Sequence, residues 1–70
     1  MAQKKDESVI GSIETIRSGS RKPCTIEVVR SEQGEVVLKT LDSSGVTTLA
    51  ALLTKTQIDE LSRLLQAALQ

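Results

Sequence analysis

Leu53-Thr54-Lys55-Thr56-Gln57-Ile58-Asp59-Glu60-Leu61-Ser62-Arg63-Leu64-Leu65-Gln66-Ala67-Ala68-Leu69 decides how the rest of the chain must be built. Thr54 and Gln57 stand at the spacing of a capping box, in which the Thr hydroxyl and the Gln side chain each satisfy an exposed N–H at a helix start. Leu53 and Ile58 occupy the two positions of a hydrophobic staple around that cap. Ile58, Leu61, Leu65 and Ala68 recur at i, i+3, i+7 and i+10, and Leu64 and Leu69 widen the stripe, so the spacing predicts an amphipathic helix. Lys55, Asp59, Glu60, Arg63 and Gln66 fall mostly on the other side, with Glu60 and Arg63 three apart as a weak pair. Such a stripe needs an apolar floor, which only the residues ahead of it can supply.

Working backwards, Val46 to Leu53 reads as a strand. Its first half, Val46-Thr47-Thr48-Leu49, favours extended backbone, whereas Ala50-Ala51-Leu52-Leu53 is apolar throughout and should be buried on both sides or carry a dimer contact. Ser43-Ser44-Gly45 is a turn signal. Glu35 to Asp42 is the strand before it, joined through Glu32-Gln33-Gly34 to a clearer one, Lys22 to Ser31. There Cys24, Ile26 and Val28 alternate with Thr25 and Glu27, and Val29 breaks the alternation. Pro23 cannot donate to a ladder and should stand at the strand's start or at an edge.

Ser8 to Arg17 is less plain, because Val9, Ile10, Ile13 and Ile16 lie near helical spacing. Its β-branched content and the mid-segment Gly11 argue for strand. Ser18-Gly19-Ser20 follows as a turn, with the glycine expected to take the positive φ. Residues 1–7, alternating in charge without apolar partners, read as a disordered arm. The connections are too short for parallel crossovers. The expected fold is therefore α+β: a four-stranded antiparallel meander over residues 8–53, then one C-terminal amphipathic helix, as a single β-β-β-β-α domain spanning 8–70.

The chain has 70 residues, nine Lys plus Arg against nine Asp plus Glu, one cysteine, no histidine and no aromatic residue. A domain this size buries only about 60% of its unfolded surface and usually needs a disulfide, a metal or association to be stable. One cysteine makes no internal bridge, and Cys without His makes no metal site. Association is the remedy left, so a homodimer is expected, with Leu64, Leu65, Ala68 and Leu69 as interface candidates. No apolar run approaches a membrane span, and the polar N-terminus, with no apolar core behind it, does not read as a secretory signal. Together with a free thiol, this points to a soluble cytoplasmic protein without membrane partners.

The inventory for catalysis is thin: no His for acid–base work, no activated nucleophile pair, no phosphate-cradling Gly-rich loop. Cys24, in an apolar row, reads as a small core residue. No cofactor and no enzyme activity are expected. What remains is a binding surface. Arg17, Arg21 and Lys22 cluster at the first hairpin of a meander, Arg30 closes the second strand, and Lys39 projects from the third on the face opposite Val36 and Leu38. A positive patch on a sheet would bind a phosphate backbone by counterion release.

The order of these segments resembles the positive cofactor four family of transcriptional coactivators and single-stranded-DNA-binding proteins, in its small phage or bacterial form. The matching pieces are Thr25-Ile26-Glu27-Val28-Val29-Arg30 with Gly34-Glu35-Val36-Val37-Leu38, similar to the family's central hairpin. Leu52 to Leu61 resembles its strand, cap and helix ending. The resemblance runs from about Ser8 to Gln70. It implies a homodimer whose helices pack together and whose curved sheets form basic channels for single strands, acting in transcription, replication or recombination. Arg30 matches the family's strand-end basic residue, and Arg21 and Lys22 its basic lead-in to that strand. The chain departs from the pattern at Leu41, where a basic residue is usual, at Ser43 and Ser44, where aromatics are common, and at Ile58 in the first helical turn.

Two expectations follow. In the first, a homodimer binds single-stranded DNA or RNA, alongside transcription or replication proteins, with Arg17, Arg21, Lys22, Arg30 and Lys39 on phosphates. In the second, the chain is a protein-interaction or dimerisation module without nucleic-acid binding, using its apolar fourth strand.

Overall fold

The computed structural model describes residues 8–70; the arm expected over residues 1–7 lies outside the described residues. Four strands, β1 (Ser8–Ile16), β2 (Pro23–Arg30), β3 (Val36–Asp42) and β4 (Thr47–Leu53), precede one helix, α1 (Lys55–Ala67). The strands pair antiparallel in the order β1-β2-β3-β4, the expected α+β meander and helix. Pro23 opens β2, opposite Ile16, where its missing N–H costs least.

The helix begins as its residues dictate. Thr54 is the N-cap; its Oγ1 accepts from the Gln57 N–H at 3.2 Å, and Gln57 Oε1 accepts from the Thr54 N–H at 2.9 Å. The staple residues Leu53 and Ile58 line one hollow together. The far end is shorter than the apolar stripe suggests. The helix stops at Ala67, Ala68 is its C-cap, and Leu69 lies beyond it, its N–H bonded to the Gln66 carbonyl.

The register sorts side chains onto two faces, because residues directly opposite in neighbouring strands point the same way. One face carries the rows Val28–Leu38–Ala51 and Ile13–Ile26–Thr40–Leu49. Ile58, Leu61 and Leu65 approach this face, lining a hollow of about 360 Å³ with Val28, Val36 and Leu38. The other, open face carries Val9–Val29–Val37–Leu52, then Ser12–Glu27–Lys39–Ala50, then Glu14–Thr25–Leu41.

β1 owes its helix-like spacing to a bulge. The register shifts between Val9 and Gly11, leaving Ile10 as an extra residue before Gly11 meets Val28. Ile10 and Ile13, three apart, therefore both serve the helix-bearing face, while Val9 and Ile16 serve the open one. Gly11 suits the bulge because a strand interior otherwise has no use for a residue without a side chain.

Val29, the residue that broke the alternation, is the one buried residue among the described residues, at 1% exposure. It lies on the open face, in the middle of an apolar row of four. Of the two alternatives expected for Ala50 to Leu53, burial on both sides or a dimer contact, the first is not met within the single chain. Ala50 and Leu52 are exposed on the open face, and only Ala51 and Leu53, on the helix-bearing face, are half-buried. β4 is an edge strand followed at once by the helix, so no described strand pairs along its outer edge.

Candidate nucleic-acid interface

Three hairpin turns set the cations. In β2–β3, the Gly34 N–H bonds to the Ser31 carbonyl at 2.9 Å, and Gly34 takes φ 87° before the chain re-enters the sheet. In β3–β4, the Gly45 N–H bonds to the Asp42 carbonyl at 2.9 Å, with Gly45 at φ 86°. β1–β2 is closed by the Arg17 N–H to the Lys22 carbonyl at 2.9 Å and the Arg21 N–H to the Arg17 carbonyl at 3.0 Å. Its positive φ, 61°, falls on Arg21 and not on Gly19, which corrects the expectation for that turn. Arg21 is the last loop residue, the place where the other two hairpins put glycine.

An L-residue there costs roughly 1–2 kcal/mol, part of which glycine gives back through its freer unfolded chain. Arg21→Gly is therefore expected to raise stability by about 0.5–1 kcal/mol, read as a higher urea midpoint at unchanged m-value. A lower midpoint would show that the arginine side chain itself holds the hairpin together.

The closing hydrogen bonds of the turn bring the backbones of Arg17, Arg21 and Lys22 together, and all three residues are exposed. The remaining two expected site residues lie elsewhere. Lys39 is mid-sheet on the open face, directly opposite Glu27 on β2 and Ala50 on β4. Arg30 is at the other end of β2, in register with Val36 on the helix-bearing face, and its Nη1 reaches the Gly34 carbonyl at 3.5 Å. The reason is parity: Arg30 and Lys39 sit an odd number of register steps apart, which puts them on opposite faces.

Sequence reasoning missed Asp42. Its Oδ1 accepts from the Ser44 hydroxyl at 2.7 Å and from the Ser44 and Val46 N–H groups at 3.0 Å each, so one carboxylate organises the β3–β4 turn. The Asp-Ser-Ser-Gly order was the available signal, since Asp commonly bonds backbone two residues on. The Ser44 hydroxyl first, then the Val46 N–H, hold its carboxyl below the ordinary 3.8; partial desolvation opposes them, and the Arg17 charge adds to them. The β1–β2 and β3–β4 turns thus share one end of the sheet.

A folded-state pKa below the unfolded one contributes stability that is present above pH 3.8 and lost as pH falls through the folded value. The thermal midpoints of the wild type and Asp42→Asn should therefore differ at neutral pH and converge in acid. A gap that persists unchanged well below that range would remove ionisation as its cause.

At that same end the open face is hollowed to about 730 Å³, with Ile16, Pro23 and Leu41 as apolar lining, the carboxylates of Glu14 and Glu27, and the hydroxyls of Thr15, Thr25 and Ser43. No group of three or more metal-ligating side chains occurs among the described residues, and no described helix is long and apolar enough to cross a membrane. Leu64, Leu65, Ala68 and Leu69 are all exposed in the single chain. Comparison of the chain with protein-family models, with curated proteins and with solved structures gives no match.

Proposed function

We propose that this chain is a homodimeric binding protein, without catalytic activity, for single-stranded nucleic acid. It would act where unpaired strands arise, in transcription, replication or recombination. The observation that carries the ligand is Arg21. Between Arg17 and Lys22, in a turn where the chain's other hairpins use glycine, a cationic side chain is kept at the expense of backbone strain. Strain of this kind points to a function for the side chain. Phosphate is the ligand that three adjacent exposed cations suit. The open face favours an unpaired strand over a duplex, because Val9, Ile16 and Leu52 are more than half exposed there and only splayed bases offer them an apolar surface.

Dimerisation is supported by the near absence of a core. Ile10, Ile13 and Leu49 on the sheet, with Leu64, Leu65 and Leu69 on or after the helix, are 53–78% exposed. At roughly 100 Å² removed from water per side chain, six such groups would bury about 600 Å² per copy and about 1,200 Å² in a pair, the lower bound of a stable specific interface.

The test is fluorescence anisotropy of a labelled single strand of about 20 nucleotides at two salt concentrations, with duplex of the same sequence as competitor. Tight, salt-weakened binding that duplex does not displace is expected. No binding at low salt would leave the second reading, a protein-interaction or dimerisation module. A specific observation favours that alternative: at mid-sheet the open face sets Glu14 and Glu27 against Lys39, so its net positive charge is confined to the hairpin.

A further inference from the structure

The hollow at the hairpin end of the open face is poorly suited to phosphate, although the hairpin cations beside it are well suited. Its polar lining is dominated by the carboxylates of Glu14 and Glu27, beside the hydroxyls of Thr15, Thr25 and Ser43, which donate as well as accept; Thr25 stands between Glu14 and Leu41 in the register. Glu27 faces Lys39 across β2–β3, and Asp42 at the rim is taken up by its own turn. Glu14 has no hydrogen-bond partner among the described residues. Its neighbours Ile16, Pro23 and Leu41 supply an apolar wall. A single strand crossing this end must therefore keep its phosphates on Arg17, Arg21 and Lys22 and turn a base inward.

We propose that the hollow receives one unpaired base, its ring against Ile16, Pro23 and Leu41, with the Glu14 carboxylate accepting from the base's exocyclic amino group. This deepens the single-strand reading and rests on it. A carboxylate accepts and cannot donate, so it rewards bases that present an amino group on the exposed pairing edge and repels carbonyl oxygens. Cytosine offers its N4 amino group to a carboxylate; thymine offers a carbonyl oxygen at the same ring position. The protein should accordingly discriminate cytosine from thymine without any aromatic residue, by an acceptor in an apolar recess.

The experiment compares oligo(dC) and oligo(dT) of equal length, labelled identically, at slightly alkaline pH so that cytosine stays unprotonated. Oligo(dC) should bind roughly 5- to 50-fold more tightly, the discrimination expected of one good base contact. In Glu14→Gln the amide also donates, so the dC to dT ratio should fall towards one. The ratio is the readout, because removing a negative charge near the hairpin should raise affinity for both strands alike. Asp59→Asn, on the exposed side of the helix, controls for loss of charge and should leave the ratio unchanged. Equal binding of both strands by the wild type, or a ratio indifferent to Glu14→Gln, would overturn the base contact while leaving single-strand binding in place. Failure of both strands to bind at low salt would overturn the single-strand reading itself, and the base contact with it.

Discussion

Leu65→Glu is expected to abolish association and folding together. In the isolated chain Leu65 is 60% exposed, so a glutamate there should cost little, well under 1 kcal/mol, as for an ordinary surface change. In a dimer that covers the helix-bearing face, the same carboxylate would be driven into an apolar contact beside Val28, Val36 and Leu38. Loss of a buried Leu alone costs about 2–5 kcal/mol, and an unpaired buried charge adds to that. A 70-residue chain with one buried residue among those described has no such reserve.

The measurements are sedimentation mass and far-UV circular dichroism on heating. Wild type should run as a dimer with a cooperative, concentration-dependent melt, and Leu65→Glu should lose both. Leu65→Met, which conserves volume, should keep both. A wild-type monomer mass across concentrations, or a Leu65→Glu melt equal to wild type, would remove the dimer. Leu64 and Leu69 are more exposed still, but Leu69 follows the last helical turn and should tolerate change better than Leu65.

The second large effect concerns the hairpin. Replacing Arg17, Arg21 and Lys22 together by Ala should reduce single-strand affinity roughly 100-fold or more at low salt, since charge-assisted contacts contribute about 1.5–3 kcal/mol each before losses to screening. The slope of log affinity against log salt should become shallower by about 2, three phosphate contacts at about 0.7 each for single strands. Folding should survive, because all three side chains are exposed and the turn is held by backbone hydrogen bonds. Arg30→Ala is the internal comparison. Its guanidinium lies at the opposite end of the sheet against the Gly34 carbonyl, so binding should change less than about 2-fold. If Arg30→Ala weakened binding as much as the triple variant, the ligand path would have to run along the helix-bearing face instead.

Arg21 couples stability to binding. A single Arg21→Gly change should make the protein more stable and a poorer ligand binder, the trade-off expected where strain is kept for function.

The helix start, the strand order and the turn positions were legible in the residues because each is decided within a few positions. Thr54 and Gln57 find each other three residues apart, Pro23 has no ladder hydrogen to lose, and Ser43 to Gly45 favour a turn. Local hydrogen-bond geometry does not wait for the rest of the chain. Which face a side chain serves is another matter, because it accumulates along the strand and flips with one extra residue. The bulge at Ile10 turned a helix-like spacing into a strand with both faces apolar, and parity sent Arg30 and Lys39 to opposite faces. Positive φ passed to Arg21 although Gly19 stands two residues earlier, because the closing bonds between Arg17, Arg21 and Lys22 set where the chain must reverse. The burial of Val29 likewise depends on Val9, Val37 and Leu52, residues far apart in sequence and joined only by register. The sequence by itself thus determined the elements and their order; the tertiary structure decided which cations share a surface, because only cross-strand pairing sets the distance between them.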